Sequence, residues 1–223
     1  MPRVFFSSRH GGLSAEPYGS LNLGDHVGDE PAIVTANREL LRKALSLSEL
    51  VFMNQSHSAD IAVITGDVRR MQTPDADALF TNQRGIGLAV MVADCLPLLL
   101  ASNSWVAAVH VGRVGLMSGI VEKVLAEFGS HDSKPTQAWI GPHICSRCYE
   151  VSSDMYGELT SQRPLLATST ATRCLDLKTE VTAILSEAKV PVMDLGSCSV
   201  ESLDHFSYRR DGVTGRFAGV ISL

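Results

Sequence analysis

An α/β or α+β fold with mixed β-sheets is what this sequence predicts, on three observations. Strand-length segments such as "IGLAVMVADC" (86–95) and "SWVAAVHV" (104–111) are apolar almost throughout, as strands covered on both faces are. Other segments repeat apolar residues at helical spacing. The two kinds of segment alternate only loosely, so a regular βαβ winding is not implied.

Taken in order, the chain opens with a short strand and a loop rich in Gly, Ser and Asn, "SSRHGGLSAEPYGSLNLGDHVGD". A first helix follows, with Asp29 expected as N-cap, Pro31 in its first turn, and Ile33, Val34, Asn37, Leu40, Leu41 and Leu45 on one face. "DIAVITG" reads as a strand, as do the two apolar runs already quoted. A second amphipathic helix places Leu116, Ile120, Val121, Val124, Leu125 and Phe128 together. "QAWIGP" is a short strand and "SSDMYGELTS" a helix; Leu177, Val181, Ile184, Leu185 and Ala188 mark a third amphipathic helix. Strands around "VMDLG" and "RFAGVISL" close the chain. No repeat, low-complexity stretch or linker divides it, so a single domain over residues 1–223 is expected.

A chain of 223 residues with 45% hydrophobic and 19% charged residues can bury a sizeable core. Its formal charge of −5 and lack of a long Lys/Arg run argue against nucleic acid as a partner. The start has no apolar core of signal-peptide length, and Asp94 and Pro97 interrupt the longest apolar run. A cytoplasmic protein without a membrane partner is expected, and the five cysteines are read as thiols rather than disulfides.

An Asp-Cys pair inside an apolar run costs free energy unless something there uses it. Taken alone, Cys95 reads as a small buried hydrophobe and His110 as a satisfied core histidine. "QSHSAD" adds His57, with Gln55 beside it, just before another apolar strand. Cys95 with His57 and His110 makes a three-ligand zinc set that leaves a fourth position open. Equally, Cys95 suits a nucleophile with His110 as base and Asp94 as orienting acid. The wide spacings do not choose between these.

The "CSRC" pair, Cys145 and Cys148, lacks a second close pair, since Cys174 and Cys198 stand alone in the sequence. It reads as structural or incidental thiols, and Glu150 just beyond it as a possible site acid. Arg9, Arg209, Arg210 and Arg216 lie in Gly- and Ser-containing loops that suit phosphate or carboxylate binding as well as solvated turns. Asn22, Asn37 and Arg38 are candidate polar lining; Asn37 falls on an apolar helix face and so requires partners.

Together, "SRHGGLSAEPYGSLNLGDHVGDEPAIVTANRELL", "QSHSAD", "DADALFTN", "GLAVMVADCLPLLL", "VAAVHVG", "IGPHICSRCYEV", "LDL" and "FSYRRDGVTGR" resemble the YfiH family, also called laccase-domain or multicopper polyphenol oxidase-like proteins. The resemblance runs through nearly the whole chain. It implies an α/β fold of layered mixed sheets flanked by helices, with His57, Cys95 and His110 as ligands of Zn2+. Copper fits poorly, since a multicopper enzyme needs more histidines than the seven present. Two departures stand out. Where the family reads His-Ala-Gly-Trp-Arg-Gly, this chain reads "HVGRVG", and Ser58 replaces the usual Gly after the first ligand.

The resemblance further implies purine nucleoside phosphorylase activity on adenosine, inosine and methylthioadenosine, with adenosine deaminase activity. A small-molecule nucleoside and phosphate would be the partners, and a monomer is favoured. Cys95, Asp94 and Glu150 are the expected catalytic residues, the two acids as proton carriers. Arg9, Asn37, Gln55, Arg113 and Arg209 are the expected substrate-binding residues. Rival readings are an amidase that edits mis-charged peptidoglycan precursors and a non-catalytic zinc-binding protein.

Overall fold

The apolar run that begins at Ile86 resolves into three neighbouring strands, and their burial explains its composition. In the computed structural model, which describes residues 1–168 and 171–223, β5 (Ile86–Val92), β6 (Leu96–Ala101) and β7 (Val106–Val111) are buried at every residue. Along β5, Leu88, Val90 and Val92 face one core while Ala89 and Met91 face another. Along β6 and β7, Leu98, Leu100, Ala107 and Val109 point one way, and Leu99, Ala101, Val106 and Ala108 the other. A strand with cores on both sides has no polar face, so the period-2 alternation disappears.

The other strands are β1 (Arg3–Phe6), β2 (Glu49–Val51), β3 (Ile61–Val63), β4 (Ala78–Thr81), β8 (Gln137–Ile140), β9 (Val192–Asp194) and β10 (Phe217–Ser222). One mixed sheet has the order β1-β10-β5-β2 and the second β3-β4-β7-β6-β8-β9. The sheets pack face to face through Leu79, Leu99, Val106 and Ala108 of the larger and Leu88, Val90, Phe217 and Ile221 of the smaller. Helix α1 (Pro31–Ala44) covers the outer face of the smaller sheet through Leu41. Helices α2 (Arg113–Met117), α3 (Ile120–Ser130), α4 (Ser153–Gln162) and α5 (Leu177–Glu187) cover the larger through residues such as Leu116, Val124, Leu159 and Val181. A short α6 (Tyr208–Asp211) precedes β10. The mixed, layered sheets and flanking helices match the expected class. No helix among the described residues is long and apolar enough to cross a membrane.

Local details depart from the sequence reading. Strands β2, β4 and β6 were not separable by pattern, being short or continuous with a longer apolar run. Asp29 does not cap α1: the cap position is Glu30, without a side-chain bond. Asp29 instead accepts from Ser14 Oγ (2.6 Å) and Asn22 Nδ2 (2.9 Å), tying down the N-terminal loop. Leu40, expected on the buried face, is exposed. The second amphipathic helix is two helices, broken where Gly119 takes φ 79°, a left-handed conformation natural to glycine.

Candidate active site

The site forms where β5, β6 and β7 end or begin at one rim of the two-sheet sandwich. Cys95 occupies the turn between β5 and β6, His110 lies near the end of β7, and His57 lies in the loop before β3. Their ligand-capable atoms lie within 4.8 Å of one another. A tetrahedral Zn2+ with bonds of about 2.0–2.3 Å needs ligand edges of about 3.4–3.6 Å, so side-chain shifts of about 1 Å close this set around one ion. Two imidazoles and a thiolate also suit zinc's borderline-soft character. The residues present therefore fit the metal that the sequence resemblance implies.

Close packing at the site has a glycine at its centre. A Cβ built on Gly112 would stand 3.0 Å from His57 Cδ2, 3.4 Å from Cys95 Sγ and 3.5 Å from His110 Cε1. A Cβ there would press on His57 and rest in contact with Cys95 and His110.

Asp77, which sequence reasoning missed, organises the set. It sits immediately before β4 and is fully buried. Its Oδ1 accepts from His57 N–H (3.1 Å) and stands 2.7 Å from His110 Nδ1. Its Oδ2 accepts from Ser58 N–H (2.6 Å) and Ser58 Oγ (3.0 Å). Burial opposes its charge, but His110 and the Ser58 donors prevail and hold its pKa at about 2. An ionised carboxylate only accepts, so His110 Nδ1 carries the proton and Nε2 is left for the centre. The only sign of Asp77 in the sequence was an acid directly ahead of a short, mostly apolar strand.

The same carboxylate stabilises an uncommon backbone. His57, whose N–H donates to Asp77, has φ 62°, in the region that L-residues rarely adopt. Ser58 adds to this hold through its N–H and hydroxyl, both donated to Asp77.

Electrostatics couple the pair at the centre. Burial alone would raise the Cys95 thiol, but the facing His110 and His57 override it and draw its pKa down to about 6. Burial would lower His110, but the Cys95 thiolate and Asp77 raise it to about 9. Free of metal, the pair is thus a thiolate and an imidazolium at neutral pH.

A cavity of about 380 Å³ opens above these groups, lined also by His26, Gln55, Arg113, Tyr149, Tyr208, Arg209 and Arg216. That volume lies within the range of roughly 300–1,000 Å³ found for small-molecule sites. Arg113, the first residue of α2, lines the cavity, while its neighbour Val114 is exposed. The altered "GRVG" segment therefore keeps an arginine at the site. Arg209 donates to Glu150 O (2.9 Å) and stands 5.7 Å from the centre of the Tyr149 ring. Burial and the nearby Cys95 push the Tyr149 hydroxyl pKa up against the pull of Arg113, so Tyr149 remains a donor at neutral pH.

Several expected site residues do other work. Asp94 lines the cavity, but Oδ1 accepts from Ser199 Oγ and Ser207 Oγ (both 2.7 Å) and Oδ2 from Arg209 N–H (2.7 Å). It anchors the segment that carries Arg209 through both of its oxygens. Glu150 turns its exposed carboxylate to Arg173 (2.6 Å) and does not line the cavity. Gln55 does line it, but its amide is bonded to both N–H and O of Met91 (2.8 Å each). Arg9 lines a separate hollow, donating to Gly19 O (2.8 Å) and standing over Phe206. Asn37 is buried and bonded to Leu13, Ser14 and Asn22, a loop clamp rather than a substrate contact. Arg210 donates to the carbonyls of Ser199, Ser202 and His205 and shapes the same segment that Asp94 holds.

Comparison with known proteins accords with this geometry. A purine nucleoside phosphorylase of Streptomyces coelicolor is 44% identical over 98% of this chain and 94% of its own. The purine nucleoside phosphorylase YfiH of Shigella flexneri is 36% identical over 97% and 92%. A crystal structure of a Neisseria meningitidis protein superposes with a TM-score of 0.87 at 34% identity, covering 100% of this chain and 94% of that one. Residues 3–223 match the model of the family described as multi-copper polyphenol oxidoreductase laccase. The chain belongs to that family, which includes the YfiH proteins.

Proposed function

We propose that the cavity binds a purine nucleoside and inorganic phosphate and cleaves the glycosidic bond by phosphorolysis, with Zn2+ held by His57, Cys95 and His110. The observation that carries this reading is the convergence of that donor set with Arg113, Arg209 and Arg216 on one cavity. The names of relatives matching nearly the whole chain supply the substrate class.

Bound zinc would supply Lewis acidity and an open coordination position. The chain's own residues account for the rest. Three guanidinium groups neutralise phosphate and offer it paired N–H donors. Tyr149 and Tyr208 present ring faces and hydroxyls to a purine. Asp77 fixes the tautomer and direction of His110, and Asp94 fixes the segment that holds Arg209. A phosphate oxygen forms the bond to C1′ as the C1′–N9 bond breaks; the electron pair leaves with the base, which takes up a proton.

Adenosine deamination would use the same cavity and also needs a proton carrier near the purine C6. Asp94 and Glu150 were the expected carriers, and both are engaged elsewhere. Phosphorolysis is the reading favoured here, because it needs no carboxylate carrier and it is the activity in the relatives' names.

Incubation of the pure protein with inosine or adenosine and phosphate tests the proposal. Base and ribose 1-phosphate are expected in equal amounts, only with phosphate present, and not after chelation. No ribose 1-phosphate at enzyme concentrations matching the nucleoside would overturn it.

A further inference from the structure

A second group of thiols stands outside the cavity. Cys145 and Cys148 lie in the turn after β8, and Cys198 and Glu201 lie between β9 and α6. One Sγ from each cysteine and one Glu201 oxygen all lie within 4.8 Å of one another. Cys145 Sγ is 3.8 Å and Cys148 Sγ 3.6 Å from Glu201 Oε1. A tetrahedral ion with Zn–S of about 2.3 Å and Zn–O of about 2.1 Å sets S···O edges of about 3.6 Å. The two S···O separations fall on or near that edge.

We propose that Cys145, Cys148, Cys198 and Glu201 form a second, structural Zn2+ site. The backbone is arranged for it. Cys148 N–H and Tyr149 N–H both donate to Cys145 O (3.0 and 3.1 Å), folding Cys145–Cys148 into a tight turn that turns both thiols to one side. Cys145 N–H points at Cys198 Sγ (3.5 Å), a contact that favours a thiolate. His143 N–H donates to Ser197 O and Ser199 N–H to His143 O, so the two segments are held in register before any ion binds. Three thiolates and a carboxylate around a dication leave a net charge of −2. Arg147, which donates to both Glu201 oxygens at 2.9 Å, supplies one compensating charge. Four protein donors leave no open position, the mark of a structural zinc site.

The site bridges two segments of the cavity wall. Ile144 and Tyr149, which flank the cysteine turn, line the cavity. Ser199, beside Cys198, donates to Asp94. Zinc here ties these walls together, whatever reaction the cavity carries out.

The test is the zinc content of the full-length protein purified under reducing conditions, measured as ions per chain. Two are expected in the wild type, one in Cys95→Ala, one in Cys148→Ser and none in the double variant. Cys95→Ala decides the matter even if Cys148→Ser fails to fold, because among the described residues no other group of three or more donors remains for its ion. Cobalt in Cys95→Ala should show intense thiolate-to-metal absorption despite the loss of Cys95. Glu201→Gln should keep the ion and lose it about 10-fold faster to a chelator. A Cys95→Ala protein without zinc, or a disulfide joining Cys148 to Cys145 or Cys198 in the purified wild type, overturns the proposal.

Discussion

His57, Cys95 and His110 converge from three separate segments onto a cavity, while Cys145, Cys148, Cys198 and Glu201 come from two turns and face one another. The first set has three donors oriented by a carboxylate with no solvent exposure, Asp77. The second has four donors, and its charged neighbour Arg147 is 75% exposed in its side chain. Orientation by buried charge and an unfilled position suit chemistry; saturation by protein donors suits a brace. One chain thus uses similar atoms for two ends, and the number and burial of the supporting groups separate them.

Replacing one cysteine in each set should break the comparison most sharply. Cys95→Ala is expected to lower phosphorolysis by ~10³-fold or more, since it removes a metal ligand whose ion stabilises several kcal/mol of transition-state charge. Cys148→Ser should leave kcat within about 10-fold while lowering the midpoint of thermal unfolding. Equal losses from the two variants would show that both sets serve the reaction directly.

The next largest difference lies in the supporting groups. Asp77→Asn should weaken zinc binding by about 10- to 100-fold. It should also destabilise the protein by about 3 kcal/mol in urea, because it disrupts a buried charge pair with several donors. Arg147→Gln, at an exposed pair, should cost less than about 1 kcal/mol. The acid limb gives a related check. The folded pKa of Asp77 is about 2, below its ordinary 3.8. Its contribution is therefore complete above about pH 4 and lost as the pH falls toward 2. Acid unfolding of the wild type should show this loss, and Asp77→Asn should not.

A smaller effect concerns the metal-free thiolate. Alkylation of Cys95 after zinc removal should rise with a midpoint near pH 6, and His110→Ala should move that midpoint upward. Smallest of all, Gly112→Ala should weaken zinc binding several-fold with little change in folding, since its Cβ would reach 3.0 Å from His57 Cδ2. A fully active Gly112→Ala protein would show that the three side chains have more room than their packing suggests.

Much of the fold was legible because burial on both faces writes itself into composition. Strands β5, β7 and β10 and helices α1, α3, α4 and α5 could be read from apolar runs or helical period. Strands β2 and β4, three and four residues long, are too short for a period, and the break at Gly119 does not interrupt the apolar pattern. The set His57, Cys95 and His110 was legible through resemblance rather than spacing. Asp77 and Cys198 were not, since a single acid before a strand and a single cysteine in a loop carry no pattern of their own.

Local chemistry along the chain determined which segments are buried and which residue types stand ready as donors, because hydrophobic period and side-chain identity are properties of neighbouring residues. Only the tertiary structure decided that Asp77 meets His110 33 positions away, and that Cys198 meets Cys145 53 positions away. It also put the polar atoms of Asp94, Glu150, Arg9 and Asn37 into bonds with other parts of the chain, Asp94 while still lining the cavity. Those outcomes depend on how the two sheets stack and where their connecting loops end, which is fixed by packing between segments that are distant in sequence.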